Sequence, residues 1–218
     1  MRRDAEKIAC RVVALFGKRF SSLLGIRVDS GDSREVFKWF LAAVLYSAPI
    51  RESSATKTFL VFKREKVLSP KKIVGLGWEG LVGLLDEGGY TRYDFKTADK
   101  LLELAKNLEE KWGGDLNRLR RASKNEGELY ANLKALAKGV GDATASVFLR
   151  EMRVAWRVRA RPTALEELAA KKLGLAPLDQ LEEKLGKAGW KQKQFIELET
   201  GLMRLGRDYF RKGRTTLL

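Results

Sequence analysis

The 218-residue chain has no histidine and a single cysteine, Cys10. Without histidine, the commonest general base and the usual metal ligand are both missing. One cysteine excludes an internal disulfide, a four-cysteine iron–sulfur cluster and a cysteine-based zinc site. Acid–base chemistry is therefore left to Asp, Glu, Lys and Tyr. Amide side chains are scarce as well, with three glutamines and four asparagines, a composition typical of thermophiles. Long apolar runs are also lacking. The longest, Trp39 to Tyr46, falls well short of the ~20 residues needed to cross a bilayer. Arg2 and Arg3 open the chain, but Asp4, Glu6 and Lys7 interrupt any signal-peptide core. These absences lead us to expect an intracellular, cytoplasmic protein, nucleoid-associated and not bound to a membrane.

What the chain does have is charge. Lysine and arginine number 43 against 28 acidic residues, a net charge of +15, while 44% of residues are hydrophobic. That hydrophobic fraction is enough for a folded globule rather than a disordered chain. The imbalance favours a polyanionic partner. Nucleic acid is preferred over an anionic membrane, because no single basic amphipathic helix stands out.

The hydrophobic pattern is helical throughout, and no alternation of the strand type runs beyond four residues. Asp32 to Glu35 reads as a capping box that opens a helix carrying Val36, Phe37, Phe40, Leu41, Val44 and Leu45. Further helices are predicted over 53–66, from Pro70, after Gly77, and over 95–112 with a stop at Gly113 and Gly114. Asp115 caps a short helix. Thr163 and Glu166 form a second capping box, and Phe195, Leu198, Leu202, Leu205 and Tyr209 make a core-facing stripe. The expected fold class is all-α.

One stretch organises the rest: Asn132 to Leu149, which contains Lys138-Gly139-Val140-Gly141-Asp142-Ala143-Thr144. It reads as a helix, a tight turn with two glycines, and a second helix. Val140 is placed to plug between the helices while the glycines relax the backbone. The first turn of the second helix offers unpaired N–H groups and the positive end of a helix dipole, a combination that attracts phosphate. Lys138 adds a cation. Arg150, Arg153, Arg157, Arg159 and Arg161 are expected to form a basic flank. Tyr90 and Tyr93, on a loop after Gly88-Gly89, are candidate wedges for a base stack.

The Gly-Val-Gly turn followed by Thr144-Ala145 resembles the helix-hairpin-helix motif of the endonuclease III-like (HhH-GPD) superfamily of DNA glycosylases. Ala137 and Lys138 stand where that family usually has Leu-Pro. The likeness extends over Asp32 to Leu149, through Phe40-to-Ala48, Gly77-Trp78-Glu79-Gly80, Gly88-Gly89-Tyr90 and the helix that ends at Gly113-Gly114. It implies two helical lobes with a DNA-binding cleft between them. Residues 32–149 would form a six-helix-barrel-like domain ending in the hairpin, and residues 1–31 plus 150–218 a second domain. It also implies a role in base excision repair: flipping a damaged base out of duplex DNA and hydrolysing its N-glycosidic bond. Hairpin residues Lys138, Gly139, Val140, Gly141 and Thr144 would contact the DNA, with Arg51 serving the loop that follows Pro49.

The catalytic positions of that family are altered. Its lysine position, two residues after the second glycine, holds Ala143, so hydrolysis by water without the usual lyase amine is expected. Its aspartate position falls on Arg161 or Thr163, neither acidic, although an oxocarbenium-like centre calls for a nearby carboxylate. Asp142 and Glu166 are weak substitutes, each better suited to a helix start. No cofactor is expected, and a monovalent cation at the hairpin backbone is left open. The alternatives are a non-catalytic DNA-binding or damage-recognition protein on the same scaffold, and a basic helical module for RNA or a protein partner. The protein is expected to be a monomer.

Overall fold

The computed structural model describes residues 2–175 and 177–213, and every regular element among them is helical. None of these helices is long and apolar enough to cross a membrane. The chain divides into two compact units. One comprises Leu24–Arg159; the other joins Met1–Leu23 to Ala160–Leu218.

In the Leu24–Arg159 unit the central element is α3 (Ser33–Tyr46), numbered after α1 (Arg2–Phe16) and α2 (Phe20–Leu24). The uninterrupted apolar run Trp39 to Tyr46 has no polar face, so its helix must be enclosed on all sides. Every residue of that run is buried. Around it pack α4 (Glu52–Arg64), α7 (Leu116–Ala122), α9 (Asp142–Trp156) and a single 3₁₀ turn at Val28–Ser30. Asp32 caps α3, its carboxylate accepting the amides of Arg34 and Glu35 at 2.9 and 3.3 Å. The full capping box does not form. Glu35 instead accepts the Arg27 amide at 2.8 Å and the Lys38 ammonium at 2.6 Å, tying the preceding turn to the helix.

The next layer is α5 (Pro70–Gly88) and α6 (Asp94–Trp112), packed on each other and, through α5, on α4. Gly77, at φ 73° and ψ 178°, breaks α5 into the two short helices expected from sequence. Where α5 crosses α4, a β-carbon at Gly88 would lie 2.2 Å from Thr58 Oγ1, so only glycine allows that approach. α8 (Glu126–Lys134), capped by Asn125, precedes α9.

The second unit is built on α12 (Gln192–Asp208), whose Phe195, Leu198, Leu202 and Leu205 are buried as the stripe predicts. Ala9 and Val12 of α1 and Ala169 and Ala170 of α10 (Ala164–Lys172) share this core. Leu181 and Leu185 of α11 (Leu178–Lys187) complete it. The Thr163–Glu166 capping box at the start of α10 is complete.

Candidate functional site

The glycine-bearing turn spans residues 135–141, between α8 and α9. Its apolar residues fold inward: Leu136, Ala137 and Val140 are buried. Its polar and small residues stay outside, with Lys138, Gly139, Asp142 and Ala143 exposed. Gly139 takes φ 88°, a left-handed conformation that a residue with a β-carbon adopts only under strain. Gly141 is different. It lies in the extended region at φ −104° and ψ −175°, and a β-carbon there would meet nothing within 4 Å.

One face of α6 holds the turn in place. Asn107 donates its side-chain amide to the Leu136 carbonyl at 2.9 Å, and Glu103 accepts the Lys138 amide at 3.0 Å. One turn earlier, Lys100 lies beside Gly139. Residues 100, 103 and 107 share a helix face by their spacing, so three neighbouring side chains clamp one turn.

Gly141 starts α9 without any side-chain cap. The first backbone bond runs from the Ala145 amide to the Gly141 carbonyl at 3.0 Å. The amides of Asp142, Ala143 and Thr144 lie ahead of that ladder, as at any helix start. α9 itself is tied to its neighbours by side-chain hydrogen bonds and ring contacts. Trp39 Nε1 donates to the Phe148 carbonyl at 2.9 Å, Tyr130 Oη pairs with Ser146 Oγ at 3.0 Å, and Ser47 Oγ pairs with Thr144 Oγ1 at 2.7 Å. Phe148 lies edge-on to Phe40 and Trp156 at 4.8 and 5.3 Å.

Beside the turn opens a pocket of about 300 Å³, near the lower end of the ~300–1,000 Å³ span of small-ligand sites. The loop after α3 contributes Ser47, Ala48 and Pro49; the start of α6 contributes Tyr93, Lys96, Thr97 and Lys100. Gly139, Gly141, Ala143 and Thr144 complete the wall. No carboxylate is among these lining residues. The two lysines are one helical turn apart, and Lys96 is exposed while Lys100 is half-buried. Burial holds the Lys100 ammonium below the usual lysine range. Its amine has no ion pair or hydrogen bond among the described residues.

No protein-family model matches the chain, and neither a curated protein nor a solved structure matches it.

The structure brings together some of the residues picked from sequence and separates others. Gly139, Gly141, Ala143 and Thr144 share the pocket wall, with Lys138 exposed on the same turn and Val140 buried beneath it. Arg51 is exposed two residues beyond Pro49, at the N-cap of α4. The arginine flank requires correction. Arg150 and Arg153 are buried at 1% and 5% exposure, because their positions on α9 face the interior. Arg157 and Arg159 are exposed, but they follow the far end of a 15-residue helix, about 22 Å from the turn at 1.5 Å per residue. Tyr90 is also not a wedge. It is buried, and its hydroxyl donates to the Leu45 carbonyl at 2.8 Å. Tyr93 lines the pocket half-buried, with the Arg92 guanidinium 5.6 Å from its ring centre.

The substitute acids are otherwise engaged. Asp142 is exposed and its carboxylate takes the Lys134 ammonium at 3.0 and 3.2 Å. Glu166 is buried in its capping box, and Thr163 is the N-cap of that helix. Arg161 is exposed in the segment leading to it. The cations that do line the pocket, Lys96 and Lys100, were missed. Their signal was present as an i, i+4 lysine pair on the helix after the Tyr90–Tyr93 loop.

Proposed function

We propose that the protein binds DNA through a helix-hairpin-helix formed by α8, the glycine turn and α9, and acts as a glycosylase-like base excision repair protein. The observation that carries this is the exposed turn itself. Gly139 is exposed and Gly141, half-buried, opens a helix start with no side-chain cap, with Lys138 on the turn and Lys96 and Lys100 in the adjoining wall. Backbone donors and flanking cations of this kind hold a sugar–phosphate strand independently of base sequence. The pocket beside them is of a size for a single extrahelical nucleotide, and hydroxyls from Ser47, Thr97 and Thr144 give it polar edges. Base excision then proceeds by hydrolysis of the N-glycosidic bond at the mouth of that pocket.

Damage recognition without base release is the alternative. It is favoured by one observation, the lack of any carboxylate among the pocket-lining residues, since a developing sugar cation needs such a charge close by. A panel of lesion-containing duplexes, incubated with the protein and then treated with alkali, separates the two. Strand breaks at a lesion indicate base excision. Tight binding with no alkali-labile site on any duplex indicates recognition alone, and failure to bind every duplex refutes both.

A further inference from the structure

The outer face of the α5–α6 layer exposes apolar surface on two neighbouring helices. Val74, Leu76 and Trp78 of α5 and Phe95 of α6 are four of the seven large hydrophobics exposed among the described residues. At one end the Trp78 and Phe95 rings lie 5.3 Å apart, and the Trp78 indole donates to the Asp99 carboxylate at 2.8 Å. The other end opens into a groove of about 560 Å³ lined by Lys71, Val74, Gly75, Lys106, Glu109 and Glu110. Phe95, Asp99, Leu102, Lys106 and Glu110 follow at three- and four-residue spacing, so one face of α6 joins the two ends. Contiguous apolar surface rimmed by charge marks an interaction site.

Charge indicates which molecule covers it. Residues 70–112 hold seven basic and eight acidic side chains, a net charge of −1 within a chain of +15. The basic excess that would draw a polyanion is absent from this layer as a whole. A second copy, repelled by the rest of the chain, meets little net repulsion here. We propose that the α5–α6 face is the interface of a symmetric dimer, in which α6 packs antiparallel on the α6 of a second copy about Leu102. Asp99 and Lys106 lie seven residues, about two helical turns, apart on either side of Leu102. The two-fold therefore sets Asp99 against the partner's Lys106, and Lys106 against the partner's Asp99. Within the protomer Lys106 makes no ion pair or hydrogen bond among the described residues, and Asp99 uses one oxygen for Trp78. The Trp78–Phe95 end crosses onto the partner's groove, where a β-carbon at Gly75 would meet nothing within 4 Å, leaving room for a ring. This reciprocity is what an isologous interface requires, the same patch serving both copies. The dimer stands in place of the monomer expected from sequence, and it does not depend on the DNA-binding function.

The full chain is followed without DNA by sedimentation velocity in about 0.15 M potassium chloride, where a Debye length of ~8 Å screens the overall charge but not a contact pair. The expected result is a weight-average mass rising from 24.6 kDa toward twice that value as protein concentration rises from micromolar to millimolar. Lys106→Glu breaks no bond within the protomer but places like charges opposite each other twice. It should raise the dimer dissociation constant on the order of tenfold or more. Asp99→Lys should do the same, and the double variant carrying both changes should recover dimerisation. Phe95→Ser removes the apolar end and should also weaken the dimer. Each variant alters an exposed side chain and is first checked for helix content and melting by circular dichroism. A single 24.6 kDa species at every concentration overturns the proposal and leaves the face to a different protein chain. A dimer that Lys106→Glu and Phe95→Ser leave as strong as wild type lies on another surface and overturns it equally.

Discussion

Lys100 and Gly139 fit one another: the lysine stem fills the space that a β-carbon at position 139 would claim, with Cε only 3.0 Å from it. The same glycine holds φ 88°. Gly139→Ala therefore carries two penalties, a strained backbone of about 1–3 kcal/mol and a displaced lysine. Chemical denaturation should register the first. Movement of the Lys100 ionisation away from its lowered position, followed by side-chain NMR titration, should register the second.

Gly141 behaves oppositely. Its extended backbone does not require glycine, and a β-carbon there meets nothing within 4 Å. Gly141→Val should leave stability within about 0.5 kcal/mol of wild type, yet it places a branched side chain where a phosphate would approach the backbone. Affinity should fall by a similar factor on every duplex sequence. A sequence-selective loss would mean that the turn reads bases rather than backbone.

The depressed Lys100 ionisation makes stability depend on pH. In the unfolded chain its ammonium persists to about pH 10.4, whereas burial in the fold favours the neutral amine at lower pH. The folded protein thus binds fewer protons in that window, so stability contributed by this site rises with pH there. Lys100→Met should be more stable than wild type at neutral pH, with the gain shrinking as pH approaches 10. Lys96 and Tyr93 in the same wall, and Glu103 on the next turn, are the titratable groups nearest this site and are retained in both proteins. A gain independent of pH would assign the effect to packing.

Two core contacts should be costly to disturb. Trp39→Phe removes the buried indole bond to the Phe148 carbonyl, worth about 1 kcal/mol. Gly88→Ala forces a methyl group against Thr58, for about 1–3 kcal/mol of overpacking between α4 and α5. Differential scanning calorimetry of the two variants checks both values.

Much of the helical organisation is legible in the sequence, because each helix carries a local signal. Asp32, Asp115 and the Thr163–Glu166 pair mark starts, Gly113–Gly114 a stop, and the stripe of Leu198, Leu202 and Leu205 a buried face. The turn from Leu136 to Gly141 was visible for the same reason. What escaped depends on how helices face one another. Arg150 and Arg153 look like surface charge in a basic run, but their angular position on α9 points them inward. Tyr90 sits in a loop with glycines, yet its hydroxyl meets the Leu45 carbonyl 45 residues away in sequence. Glu35 has the right spacing for a capping box, and a backbone amide eight residues upstream takes it instead. Lys96 and Lys100 become site residues only because α6 packs against the turn, and no local pattern near Gly139 announces that.

Lys96 and Lys138 are exposed beside and on the turn. If they neutralise phosphates, each change to alanine should reduce the dependence of log affinity on log salt by about one unit, uniformly across sequences. The measurement that bears most directly on the proposed DNA binding is therefore a fluorescence anisotropy titration of a labelled duplex over a series of potassium chloride concentrations. Wild-type protein should bind with affinity falling steeply as salt rises, and Gly141→Val should bind weakly throughout. Affinity indifferent to salt, or a Gly141→Val protein that binds as wild type does, would contradict the role given to the glycine turn.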